Sequence, residues 1–76
     1  MSEVEFIDIF AGNLRSVMEE TGYGVNELAR KTRIDKGTIS RYKNGTLMPT
    51  IKNVVNMCIV MCCNFEDLIP LMDYVK

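Results

Sequence analysis

Hydrophobic residues in the first twenty positions recur with the spacing of one face of an α-helix. Phe6, Phe10 and Leu14 lie four residues apart. This spacing predicts an amphipathic helix from Glu3 to Glu20. The Gly-Tyr-Gly run at residues 22–24 predicts the end of that helix, because glycine tolerates the left-handed conformation that follows many helices.

The rest of the pattern predicts four shorter helices separated by turns. Three of them cover about residues 25–32, 36–44 and 50–62, and the last begins at about residue 64. Asp35, Thr50 and Asn64 precede the last three, and each has a side chain suited to capping a helix N-terminus. The chain is therefore expected to be all-α, with five helices in one domain that spans residues 1–76.

The amino-acid composition is typical of a globular protein. Of 76 residues, 47% are hydrophobic and 25% are charged, as in ordinary globular domains. The longest apolar run is too short to cross a bilayer, so no membrane association is expected. The acidic start, Met1-Ser2-Glu3, is unlike a basic signal peptide, and we expect the protein to remain in the cytoplasm.

Enzymatic chemistry has little support in the residues. The chain contains no histidine, which is the commonest general base and metal ligand. It also has no glycine-rich phosphate loop, so we expect no enzyme activity, cofactor or small-molecule substrate. Cys58, Cys62 and Cys63 are odd in number and are expected to be thiols. We expect them to pack as small apolar side chains rather than to bind a metal or to form a sensor disulfide.

Charge is distributed unevenly along the chain. The net charge is −1, yet the stretch from Arg30 to Lys43 contains six basic residues and one acidic residue. A basic stripe on an acidic body is typical of a surface that faces a polyanion, and a solvated helix face is the alternative.

The two predicted helices at about 25–32 and 36–44 form a helix-turn-helix pattern. The stretch from Tyr23 to Pro49 resembles the Cro/CI repressor family, and the resemblance extends over about residues 10–69. The matching residues are Leu28-Ala29, Ile34, Thr38-Ile39-Ser40, Asn44-Gly45 and Pro49.

This resemblance implies a five-helix, lambda-repressor-like DNA-binding domain. The expected function is a sequence-specific transcriptional regulator, a repressor that binds a near-palindromic operator in double-stranded DNA as a homodimer. A protein-interaction module that keeps the same fold, such as an antitoxin or adaptor, is the alternative. Salt-dependent binding to duplex DNA separates the two.

Candidate contacts follow from the outward side of the second motif helix and from its surroundings. The expected base-reading residues are Lys36, Gly37, Ser40 and Arg41. The expected phosphate-binding residues are Val25 and Asn26, through amides at the start of the first motif helix, and Lys43, Asn44 and Thr46.

Three features, at four positions, depart from the pattern of the family. Val25 stands where the family often has a glutamine that contacts phosphate, and Arg33 stands where it usually has glycine. An arginine in the first helix commonly pairs with a glutamate in the third, but those places hold Met18 and Lys43. Both members of that pair are replaced together, so no buried charge is left alone.

The fourth predicted helix has two apolar stripes. One is expected to face the core and comprises Ile51, Val54, Met57, Cys58 and Met61. The other comprises Val55, Ile59 and Cys62, and either the first helix or a partner must cover it. The expected dimer interface joins this second stripe to the C-terminal segment and comprises Val55, Ile59, Cys62, Leu71, Met72 and Tyr74.

Overall fold

The computed structural model describes residues 1–70, and over this range the chain forms five α-helices and no strand. The helices are α1 (Glu3–Thr21), α2 (Val25–Thr32), α3 (Lys36–Asn44), α4 (Ile51–Met61) and α5 (Phe65–Leu68). The all-α prediction is confirmed. The predicted α5 was too long. The helix ends at Leu68, because Ile69 has an extended backbone and caps it. Leu71 and Met72, predicted for the dimer interface, lie outside the described residues.

Side-chain caps fix where the helices begin. Asp35 Oδ2 accepts a hydrogen bond from the Thr38 amide at 3.3 Å. Thr50 Oγ1 accepts one from the Asn53 amide at 3.2 Å. At the other end of α3, Gly45 has a φ of 71°, the left-handed conformation that glycine tolerates. These caps set the length and direction of α3 and the start of α4.

The core lies where all five helices meet. α1 packs against α3, α4 and α5, and α2 packs against α3 and α4. The fully buried side chains are Phe10, Leu14, Leu28, Ile39, Tyr42, Val54, Met57 and Leu68. Burial of these apolar groups supplies the main driving force for folding.

One residue of α4 that was predicted to face the core does not do so. Val54, Met57, Cys58 and Met61 are buried as predicted, but Ile51 is 74% exposed. Ile51 is the first residue of α4, and steps of four place it in line with Val55 and Ile59 rather than with the core residues. Val55 and Ile59 are 41% and 72% exposed, so α1 does not cover the second stripe.

This exposed surface therefore has four members instead of three. Cys62, directly after the helix, is also exposed. We call Ile51, Val55, Ile59 and Cys62 the α4 row. A contiguous apolar row of three turns on a small domain is typical of an interaction surface.

The turn between α2 and α3 contains the arginine that replaces the usual glycine. Arg33 has φ 62° and ψ 22°, so it adopts the left-handed conformation instead of a different turn. A β-carbon in this conformation costs about 1 kcal/mol, which the surrounding contacts offset.

We expect Arg33→Gly to raise the free energy of unfolding by about 0.5–1 kcal/mol, since glycine removes that strain. Urea denaturation measures the change. Arg30→Gly is the matched control, because it removes the same charge from within α2 and should destabilise by about 1 kcal/mol. A destabilised Arg33→Gly variant would contradict this account of the turn.

The cysteines differ in their surroundings. Cys58 is buried, Cys63 is half-buried and Cys62 is exposed. Burial raises the pKa of Cys63 from its ordinary 9.0 to about 12, and the neighbouring Cys58 thiol adds to the effect. Burial also raises the pKa of Cys58. Within residues 1–70, no three potential metal ligands lie together.

The raised pKa values of these thiols predict that the folded protein is less stable at high pH. Above about pH 9 the unfolded chain releases the Cys63 proton while the folded chain retains it, so the free energy of unfolding falls as pH rises. We expect a loss of about 1 kcal/mol between pH 8 and pH 10, measured by urea denaturation. Cys63→Ala should reduce this slope, and the raised pKa of Cys58 should leave part of it in place. Equal slopes for the parent and Cys63→Ala would contradict the prediction.

Candidate nucleic-acid interface

One side of α3 is fixed in the core. Ile39 and Tyr42 are fully buried, and the Tyr42 ring meets the Phe10 ring edge-on, with centroids 5.6 Å apart. The Tyr42 hydroxyl accepts a hydrogen bond from Asn53 Nδ2 at 2.9 Å. Tyr42 is therefore a core residue and not a platform for stacking bases. These contacts hold α3 in one rotation about its axis.

The opposite side of α3 carries the residues predicted to read bases. Lys36 and Arg41 are exposed, and Gly37 and Ser40 are partly exposed. A β-carbon at Gly37 would lie 2.9 Å from Asp35 Oδ2, the oxygen that caps the helix. The structure thus brings the four residues onto one open face, with glycine leaving room for the cap.

The residues predicted to bind phosphate lie at the start of α2, at the end of α3 and just after it. Asn26, Asn44 and Thr46 are exposed, and Lys43 is partly exposed. The side chain of Val25 packs against the core, so only its backbone amide remains for an anion. Gly24 provides no side-chain cap to the first amides of α2. Those amides are therefore open to a phosphate oxygen.

Two of the basic residues on α2 have neighbours within the chain. Arg30 Nη2 lies 3.7 Å from Glu27 Oε2, with its side chain 70% exposed. Lys31 Nζ lies 5.2 Å from the centre of the Tyr23 ring. Exposed contacts of this kind contribute less than about 1 kcal/mol, so both charges remain open to a polyanion.

Comparison with known proteins identifies the arrangement. The model of a family described as a Cro/C1-type HTH DNA-binding domain matches residues 13–73, which include α2, α3 and the turn between them. The chain is a member of this Cro/C1-type family. It is a DNA-binding regulator, and the predicted family is confirmed. Comparisons with curated proteins and with solved structures give no match. Within residues 1–70, no helix could span a membrane.

In this Cro/C1-type domain a different contact joins α1 to α3 in place of the family's usual arginine–glutamate pair. Met18 is buried in the core. An Arg15 guanidinium nitrogen instead donates a hydrogen bond to the Lys43 carbonyl oxygen. A cation at the last carbonyl groups of a helix is favourable because the helix dipole is negative there. Arg15 thus links α1 to the end of α3 through the backbone.

Sequence reasoning also missed the residue that ties α4 to the turn of the motif. Asn56 Nδ2 donates a hydrogen bond to the Thr32 carbonyl oxygen at 2.7 Å. The Thr32 hydroxyl accepts one from the Ile34 amide at 3.2 Å. The first bond ties α4 to the last residue of α2, and the second holds the start of the turn that leads to α3. The only available signal was one asparagine within the apolar run from Val54 to Met61.

Proposed function

We propose that this regulator is a repressor that reads a specific sequence in double-stranded DNA by placing α3 in the major groove. One observation carries the proposal. Lys36, Ser40 and Arg41 share the open side of a helix whose other side is fully buried. A helix held in this way presents the same donors at every encounter, which sequence recognition requires.

The side chains on this face have the chemistry of base recognition. Arg41 can donate two hydrogen bonds to O6 and N7 of guanine, and Lys36 can donate to the same acceptors. Ser40 can donate or accept. Gly37 adds no side chain beyond the backbone, so α3 can approach the bases closely.

Phosphate contacts on either side would set the register of α3. On one side stand the free amides of Val25 and Asn26 at the start of α2. On the other side, Lys43 and Asn44 would bind from the end of α3 and Thr46 from just after it. Anchors on both sides of a recognition helix hold it at a fixed depth in the groove.

The second part of the proposal is a homodimer that binds a near-palindromic operator. One recognition helix reads only a few base pairs, which is too little to find one site among many competitors. Val55, Ile59 and Cys62 form the surface proposed to join two copies. Leu71, Met72 and Tyr74, predicted to contribute, lie outside the described residues. Two copies would place their α3 helices about 34 Å apart.

A protein-interaction module is the second candidate function. The exposed α4 row favours it, because an apolar surface of this kind fits a different protein as well as a second copy. In that case the basic face of α3 would have no sequence preference.

Selection of bound fragments from a random pool of duplex DNA tests the proposal. We expect the selected fragments to share two inverted half-sites about one helical turn apart. Affinity for the selected site should fall linearly on a plot of log affinity against log salt. A pool without a common sequence, or an affinity that does not change with salt, would favour the interaction module.

A further inference from the structure

The carboxylate of Asp8, on α1, lies against the turn that ends α3. A β-carbon placed on Gly45 would stand 3.2 Å from Asp8 Oδ1 and 3.6 Å from the β-carbon of Ala11. Glycine suits this position because of its left-handed φ and because a side chain would crowd α1. Without that side chain, α1 brings the Asp8 carboxylate close to the backbone of the turn.

No contact of the described chain explains an acid at this position. Asp8 is exposed, and within residues 1–70 its carboxylate has no hydrogen-bond or ion-pair partner. The Gly45 amide donates to the Tyr42 carbonyl oxygen at 3.3 Å, and the next amide donates to the Arg41 carbonyl oxygen at 3.0 Å. The amides of the turn are therefore engaged by α3 and do not neutralise the Asp8 carboxylate.

The end of α3 favours a cation and disfavours an acid, because the last carbonyl groups of a helix carry partial negative charge. Arg15 meets this preference through its hydrogen bond to the Lys43 carbonyl oxygen. Asp8 lies seven residues earlier, on the same side of α1, and has the opposite charge. The electrostatic cost of Asp8 to the fold points to a role outside the fold.

Two residues proposed to bind phosphate, Asn44 and Thr46, flank Gly45 in the chain. Consecutive α-carbons are about 3.8 Å apart, and interactions between charges extend to about 8 Å at physiological salt. A phosphate bound at either residue would therefore come close enough to the Asp8 carboxylate to be repelled. The repulsion acts on the DNA backbone, so it would not depend on the base sequence.

We propose that Asp8 limits the affinity of the domain for DNA by repelling the phosphate that binds at the end of α3. The inference rests on the proposed phosphate contacts of Asn44 and Thr46. Repulsion of the backbone lowers the affinity for random DNA and leaves the preference for one sequence unchanged. A genome offers a large excess of random sites, and a lower affinity shortens the time that the protein spends on each of them.

Asp8→Asn tests the proposal because it removes the charge and keeps the shape of the side chain. We expect it to strengthen binding to a random duplex about 3- to 10-fold at about 50 mM salt. The gain should shrink as salt rises, since salt screens the repulsion. Asp8→Glu keeps the charge and should not strengthen binding. Fluorescence titration gives the affinities, and thermal unfolding checks that each variant is folded.

Glu66→Gln is the matched control, because it changes the net charge equally. Glu66 is exposed on α5, which packs mainly against α1 and α4. The control should change the affinity less than twofold. An equal gain for Glu66→Gln would assign the effect to net charge and overturn the proposal. Parent affinity in Asp8→Asn, or no binding of the random duplex by either protein, would overturn it as well.

A random duplex contains no operator, so this test is separate from the selection that tests the repressor function. If Asp8→Asn strengthens binding while the selection gives no common sequence, the sequence-specific repressor fails and the role of Asp8 stands. If an operator is found and Asp8→Asn has the affinity of the parent for both duplexes, the role of Asp8 fails and the repressor stands.

Discussion

Replacing Arg41 with alanine should weaken binding to the selected operator by roughly 1–3 kcal/mol, or about 5- to 150-fold. Arg41 is exposed on the open side of α3 and can form two hydrogen bonds with one guanine. Its loss should also relax the preference at that one base pair. Binding to random DNA should weaken much less, because no base-specific bond contributes there.

Lys43→Ala is the comparison, since it removes the same charge two residues along α3. Lys43 is only partly exposed and stands at the end of the helix, where we place a phosphate contact. Its loss should weaken binding to all sequences alike and reduce the salt slope by about one unit. Fluorescence titrations of operator and random duplexes over a range of salt give both quantities. Equal losses on the two duplexes for Arg41→Ala would contradict its role as a base reader.

The face of α3 could be predicted because its signals are local. Ile39 and Tyr42 are three residues apart and fix the buried side of the helix, while Asp35 and Gly45 fix its ends. Once the buried side and the ends are known, the open side follows from helix geometry. The left-handed Arg33 also has a local signal, because it stands where the family usually has glycine.

Contacts between distant parts of the chain could not be predicted in this way. Arg15 and Asn56 each donate to a backbone carbonyl oxygen more than twenty residues away. Carbonyl groups are present in every residue, so such pairs leave no complementary residue type in the sequence. The error at Ile51 has a related cause, because α4 is apolar around most of its circumference and its periodicity does not define a single buried side.

Ile59→Glu should convert a homodimer into a folded monomer that binds the operator on the order of 100-fold more weakly. Ile59 is 72% exposed in the single chain, so a carboxylate there stays hydrated and costs the fold little. In a dimer joined through the α4 row, the same carboxylate would lose its water without gaining a partner. Loss of the second copy removes the gain in affinity that two linked half-sites provide.

Light scattering at micromolar concentration gives the mass of the parent and the variant, and circular dichroism checks that both are folded. Val4→Glu is the matched control, because Val4 is 69% exposed on α1 and the substitution changes the net charge equally. It should keep the mass and the operator affinity of the parent. A monomeric parent would reject the homodimer in solution. A dimeric Ile59→Glu variant would place the interface away from the α4 row, since an unpaired carboxylate at its centre opposes association.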